Sequence, residues 1–308
     1  MNLSSLVYLS YPIDGDLYEK GPLDLVFTAA YTVYIMILRD FIMRFVLRPL
    51  ARRYGINKPG KVLRFQEQCF LVIYCAIATP AGLKIMHDTN QLWFFRTAGF
   101  YEGYPHRLHT AAFKSFYLLE AAFWLSQSAV ILFGLEKRRR DFRVFAFHHV
   151  VTLALIGLSY RFHFTYFGLP MFITMDTSDF FLASSKVLNY LDSPLQFPFF
   201  TIFVGVWIYC RHYLNLIMMW SIFTEYATVG PYEFSFAREQ FKCGIARVTT
   251  FLLLAALQAV NLYWLKLLLG VGLQILQRQP PKDTRSDDED DNEVNEIDMK
   301  KEITRNHH

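Results

Sequence analysis

A chain of 308 residues that is 53% hydrophobic and 17% aromatic, with 30 Phe and 18 Tyr, is too apolar for an ordinary soluble domain of this length. The formal net charge of +4 hides an uneven split, because residues 282–305 hold ten acidic against five basic side chains and leave the body strongly basic. Those basic residues fall in short loops beside apolar runs, which argues against nucleic-acid binding.

Seven apolar stretches follow in chain order, at about 24–47, 67–86, 112–134, 144–163, 166–190, 197–223 and 247–277. Each approaches the roughly 20 residues that cross a bilayer as a helix. The expectation is an all-α polytopic membrane protein with about seven transmembrane helices. Residues 1–23 form an N-terminal segment, residues 24–277 the membrane domain and residues 278–308 an acidic tail. The loop after the first stretch carries Arg44, Arg48, Arg52, Arg53, Lys58, Lys61 and Arg64, and the loop after the third carries Lys137, Arg138, Arg139, Arg140 and Arg143. By the positive-inside rule both face the cytosol, so the N-terminus is lumenal and the tail cytosolic. Residues 1–11 do not resemble a signal peptide, which leaves room for a further span upstream of Met1. The acidic tail is too polar to fold and is expected to be disordered. Within it, Ser286 precedes Asp287, Asp288 and Glu289, an acceptor context for acidophilic kinases. Cys69, Cys75, Cys210 and Cys243 form no CxxC pair and read as buried apolar residues, with no metal site expected.

The fourth and fifth stretches carry the chemistry. His148 and His149 open the fourth, and Asp176 and Asp179 interrupt the fifth. Ionisable side chains in lipid are costly and mostly functional. The aspartates are i and i+3, so a helix sets both on one face, which continues to Ala183 and Lys186. His148 and Thr152 share a face at i and i+4. Arg39 and Asp40 in the first stretch read as a local pair or as snorkelling groups, and His163 as an interfacial residue.

This constellation resembles the Lag motif of the ceramide synthases, acyl-CoA-dependent N-acyltransferases of the TLC-domain superfamily. The matching residues are His148-His149, Thr152, Ser159-Tyr160, Asp176 with Asp179, and Lys186-x-x-Asn189-Tyr190. Similarity continues at Phe123-Trp124, Glu136-Lys137, Ala255-Ala256-Leu257-Gln258 and Asn261-Leu262-Tyr263-Trp264, covering roughly residues 6–278. Met175 stands where many members have His, which is similar to the fungal branch, and no homeobox-like insert is present. The resemblance implies a TLC-type bundle whose spans two to seven enclose an acyl-chain cavity. It implies transfer of a fatty acyl group, very long in the fungal branch, from acyl-CoA to a sphingoid amine. Acyl-CoA is then a substrate, and no cofactor is implied. His148 or His149 would act as general base, or carry the acyl group, with Asp176 or Asp179 orienting an imidazole or holding the ammonium. Ser159, Tyr160, Lys186, Asn189 and Tyr190 would bind substrate or tie helices together. The endoplasmic reticulum membrane, a small single-pass membrane subunit and a homodimer or heterodimer with a paralogue are implied as setting and partners. A non-catalytic TLC-domain lipid sensor or membrane-protein chaperone is the alternative. A di-iron hydroxylase or desaturase is disfavoured, since a single His-His pair with scattered histidines cannot fill a two-metal site.

Overall fold

The computed structural model describes residues 3–89, 92–134 and 140–277, so Ser286 and the acidic tail lie outside the described residues. Seven long helices follow one another: α1 (Leu23–Arg53), α2 (Pro59–Asp88), α3 (Ala111–Leu132), α4 (Phe142–Arg161), α5 (Thr165–Tyr190), α6 (Gln196–Thr224) and α7 (Gly244–Leu276). All but α5 are apolar enough, as well as long enough, to cross a membrane. At about 1.5 Å per residue the 26 residues of α5 are also long enough, and Asp176, Asp179 and Lys186 account for its lower hydropathy. The chain is therefore an all-α polytopic membrane protein.

Two helices start earlier or end later than hydropathy suggests. Pro59 opens α2 at the first helical position, where its missing N–H costs nothing. The added turns bury Val62 and Phe65 against Ala51 and Ile56. α1 runs on through a π-helical segment, Met43–Leu47, whose Met43 carbonyl accepts a hydrogen bond from the buried Gln66 amide of α2. Helix α3 is capped by Thr110, whose hydroxyl accepts from the Phe113 N–H at 3.3 Å.

α2 and α5 make the most extensive helix pairing, and α1 lies on α3. A Cβ added at Gly82 of α2 would sit 2.8 Å from Ile173 Cγ1 and 2.9 Å from Phe116 Cζ, so glycine is what permits this approach. The outward faces are apolar, with Val33, Ile37 and Phe41 on α1, Trp220 and Phe223 on α6, and Ile245, Val248 and Leu252 on α7 all exposed. Such faces suit lipid.

The two ends of the bundle differ. At the end holding the N-terminus, two short ribbons form, Leu17–Tyr18 with His109–Thr110 and Phe234–Ser235 with Gln240–Phe241. There Lys114 pairs with Asp24 at 2.7 Å, both buried, and donates further to the Ser10 and Glu19 carbonyls. His163 belongs to this cluster and not to an exposed interface. It is 4% exposed, with Nδ1 3.4 Å from Lys20 Nζ. Burial pushes its pKa down to about 3, and the neighbouring Lys20 adds to that shift, so the imidazole is neutral.

Candidate functional site

Two of the cavities in the bundle meet at one histidine. The larger, about 330 Å³, lies toward the N-terminal end and is almost wholly apolar. It is walled by α3 to α7, including Tyr117, Leu155, Met171, Phe172 and Leu253, and Phe162, Phe241 and Cys243 also line it. Neither α1 nor α2 lines it, so the enclosure is narrower than spans two to seven. The smaller, about 150 Å³, opens toward the opposite end and is the one that charged side chains line, Glu67 and Arg211 among them. Arg39, Arg64 and Lys186 stand around it together with His148, His149, Asp176 and Asp179. His148 and Trp124 are the two residues that line both cavities.

The sequence-predicted groups thus converge from α4 and α5, and aromatic rings hold the imidazoles. His148 is 4% exposed, with its ring 5.7 Å from Trp124 and 5.1 Å from Trp264. Trp264 is fixed by its indole N–H, which donates to Asp141 Oδ2 at 3.0 Å just before α4 begins. His149 lies 4.8 Å from Phe145 and places Nδ1 3.1 Å from Ser128 Oγ. The Ser128 hydroxyl donates its proton to the Trp124 carbonyl at 2.8 Å, so it accepts from His149 Nδ1–H. That assignment leaves Nε2 as the basic nitrogen of a neutral His149.

The aspartates have separate environments. Asp179 Oδ1 accepts from Arg211 Nη2 at 2.5 Å, an ion pair buried between α5 and α6. Arg211 is 1% exposed and also donates to Ser178 Oγ at 2.6 Å and Asn261 Oδ1 at 3.2 Å, with its guanidinium 4.3 Å from the Trp207 ring centre. It sits in a π-helical segment, Tyr209–Leu214, which turns the consecutive Cys210, Arg211 and His212 all inward. Asp176, 1% exposed, leaves Oδ2 without a hydrogen-bond partner among the described residues, as does the equally buried Glu120 of α3 with Oε2. Neither Glu120 nor Arg211 belongs to the predicted set. The signal that finds them is the one that found the aspartates, an ionisable side chain within a membrane span.

The remaining predicted residues divide. Lys186 and Tyr190 line the charged mouth, and Thr152 and Ser159 line the apolar chamber, where Ser159 Oγ hydrogen-bonds to the Tyr117 hydroxyl. Tyr160 and Asn189 line neither cavity. The Tyr160 hydroxyl donates to Asp24 Oδ2 at 2.7 Å and ties α4 to α1, while Asn189 is exposed on the last turn of α5. Asp40 accepts from Arg44 at 2.7 Å, and Arg39 borders the mouth.

Chemically, the arrangement offers a mouth bordered by Arg39 and Lys186, with Arg64 paired to Glu67 at 3.1 Å, an apolar pocket suited to a chain, and an imidazole where the two join. Residues 64–270 match the TLC domain family model. Sphingosine N-acyltransferase lac1 of Schizosaccharomyces pombe is 46% identical over 288 residues, covering 92% of this chain and 75% of that protein. Ceramide synthase LAG1 of Saccharomyces cerevisiae is 44% identical over 290 residues, covering 94% and 70%. Sphingosine N-acyltransferase-like protein FUM17 of Gibberella moniliformis is 47% identical over 270 residues, covering 88% and 70%.

Proposed function

The chain belongs to the TLC-domain family, among its sphingosine N-acyltransferases, and on that premise we propose that it joins the acyl group of an acyl-CoA to the amino nitrogen of a sphingoid base, yielding ceramide and CoA. The observation that carries this reading is the position of His148 at the junction of the charge-lined and apolar cavities. A thioester is polar on one side and aliphatic on the other, and only at that junction can both halves be accommodated.

In this reading CoA phosphates lie toward Arg39 and Lys186, and the acyl chain runs past Leu155, Met171 and Leu253 into the chamber. The amine must be neutral to attack. His148 takes the proton that the nitrogen sheds as the C–N bond forms and the C–S bond breaks. The same imidazole is placed to attack the thioester itself and pass the acyl group on. Release of CoA from acyl-CoA alone, before any sphingoid base is added, distinguishes that two-step route from direct attack. Membrane burial serves both routes, because it excludes water that would otherwise hydrolyse the thioester.

Loop charges support the orientation. Arg44, Arg48, Arg52 and Arg53 lie in the last turns of α1 at its mouth end and Lys58 just beyond it, with Arg140 and Arg143 at the mouth end of α4. By the positive-inside rule that end and the tail are cytosolic, where soluble acyl-CoA arrives. Endoplasmic reticulum residence, a small single-pass subunit and pairing with a second copy or a paralogue belong to the proposal on the strength of family resemblance. A preference for very long chains belongs there too.

The chamber makes this reading testable without touching the polar groups. Leu253→Trp fills space on the α7 wall. It is expected to shift ceramide products toward shorter acyl chains when membranes are given an equimolar series of acyl-CoA lengths. An unchanged product distribution would mean that the acyl chain does not enter this chamber. A lipid sensor or chaperone would bind such chains without releasing CoA, so the same assay separates the alternative.

A further inference from the structure

Asp141 stands directly before α4, where an aspartate ordinarily caps a helix, yet its side chain makes no capping hydrogen bond. Its Oδ2 instead accepts from the indole N–H of Trp264 on α7 at 3.0 Å. Both residues are buried. His148 follows Asp141 by seven residues, about two turns, which returns the chain to the same face of α4. Trp264 spans that interval. Its N–H is held at Asp141, and its ring meets the His148 imidazole near edge to face, with centroids 5.1 Å apart and planes at 67°. The same indole also meets Trp207 at 6.4 Å, and the Trp207 ring lies against the Arg211 guanidinium that binds Asp179. Asp141 lines neither cavity, whereas Trp264 lines the mouth. The indole is thus the link between Asp141 and the imidazole.

We propose that Asp141 is a positioning residue for the acyl transfer: by holding the Trp264 indole N–H, it fixes the ring against which His148 is set at the junction of the two cavities. This rests on the acyl-transfer reading above. A ring contact has no donor and acceptor to define it, so an imidazole packed on an indole is only as well placed as the indole itself. An indole is apolar over most of its surface, and the single N–H at its edge decides how the ring lies when it is buried. Without the Asp141 acceptor that N–H would be left buried and unpaired, and the ring would turn toward water in the mouth to satisfy it. Such a turn withdraws the surface that His148 rests on and moves the imidazole relative to the thioester. Binding of the CoA head at Arg39 and Lys186 would be left as it was, because neither group touches this link.

The test is kcat and KM of the full chain in membranes, with acyl-CoA and sphinganine as substrates, expressed per chain that elutes as a folded species after detergent extraction. Asp141→Ala should lower kcat by about 10–10²-fold, the scale of misplacing a reacting group by roughly 1 Å, with KM for acyl-CoA within about twofold of wild type. Trp264→Phe keeps a ring beside His148 but has no N–H, so its kcat should fall at least as far. In that background Asp141→Ala should cost no more than about twofold further, because the hydrogen bond is already gone. Asp141→Asn keeps an acceptor oxygen and should recover most of the rate. It separates the hydrogen bond from the favourable charge at the helix N-terminus, which Asn and Ala lose equally. A purely structural clamp predicts a lower thermal midpoint in Asp141→Ala with kcat per folded chain unchanged, and that result would overturn the proposal. Losses that multiply in the double variant, or an Asp141→Asn as slow as Asp141→Ala, would overturn it too. Should Asp141→Ala fail to fold, an unchanged kcat in folded Trp264→Phe overturns it and a loss there with rate retained in Asp141→Asn supports it. Wild-type membranes that form no ceramide would instead sink the underlying acyl-transfer reading.

Discussion

Ceramide formation is expected to fall by about 10²–10⁴-fold in His148→Ala, the usual contribution of a positioned general base. A larger loss is expected if the imidazole also carries the acyl group, since the covalent route is then lost together with the base. The protein should remain folded. His148 is packed between Trp124 and Trp264 at a cavity junction, so truncation enlarges an existing space more than it removes a link between helices. The size-exclusion profile and thermal midpoint of the variant in detergent should therefore stay near wild type while product disappears. Residual turnover within a few-fold of wild type would remove His148 from the chemistry.

Arg211→Met is expected to act differently, through stability first. It deletes a buried cation that donates to Asp179, Ser178 and Asn261, joining α5, α6 and α7. Breaking a buried pair from one side typically costs about 3–5 kcal/mol, because the carboxylate left behind keeps its desolvation cost without its partner. The thermal midpoint should drop by several degrees and activity should vanish. The double variant Arg211→Met/Asp179→Leu removes both charges and should recover much of the lost stability while staying inactive. A double variant no more stable than Arg211→Met would show that the ion pair is not what holds the three helices in register.

The span pattern is readable from the string because lipid demands runs of apolar residues, and seven helices follow from it. Their ends are less readable. Hydropathy registers only the lipid-facing middle of α2, whereas Pro59, Val62 and Phe65 extend it by packing on the end of α1. The paired histidines and aspartates stand out for the same reason that they are costly, and the fold does bring all four to one cavity. What the string cannot show is which spans neighbour α5. Arg211 is visible as a lone ionisable residue, but only the packing of α6 against α5 tells which aspartate it meets. Ser159 and Tyr160 illustrate the finer limit. Adjacent residues on a helix point about 100° apart, so Ser159 faces the chamber while Tyr160 turns to Asp24 at the N-terminal end. Lys186 and Tyr190, at i and i+4, share the mouth face that Asn189 misses.

The junction of the two cavities also explains why the chemistry sits inside the bundle. A thioester presented at the membrane surface would meet water, whereas the mouth at Lys186 and Tyr190 leads it to an imidazole enclosed by Trp124 and Trp264. The most direct measurement supplies sphinganine and acyl-CoA labelled in the acyl chain to membranes that contain this chain in a host lacking the activity. Labelled ceramide and free CoA should appear in equal amounts with the wild-type chain and be absent with His148→Ala. A folded wild-type chain that yields no labelled ceramide, or a His148→Ala variant that yields as much, would contradict the account.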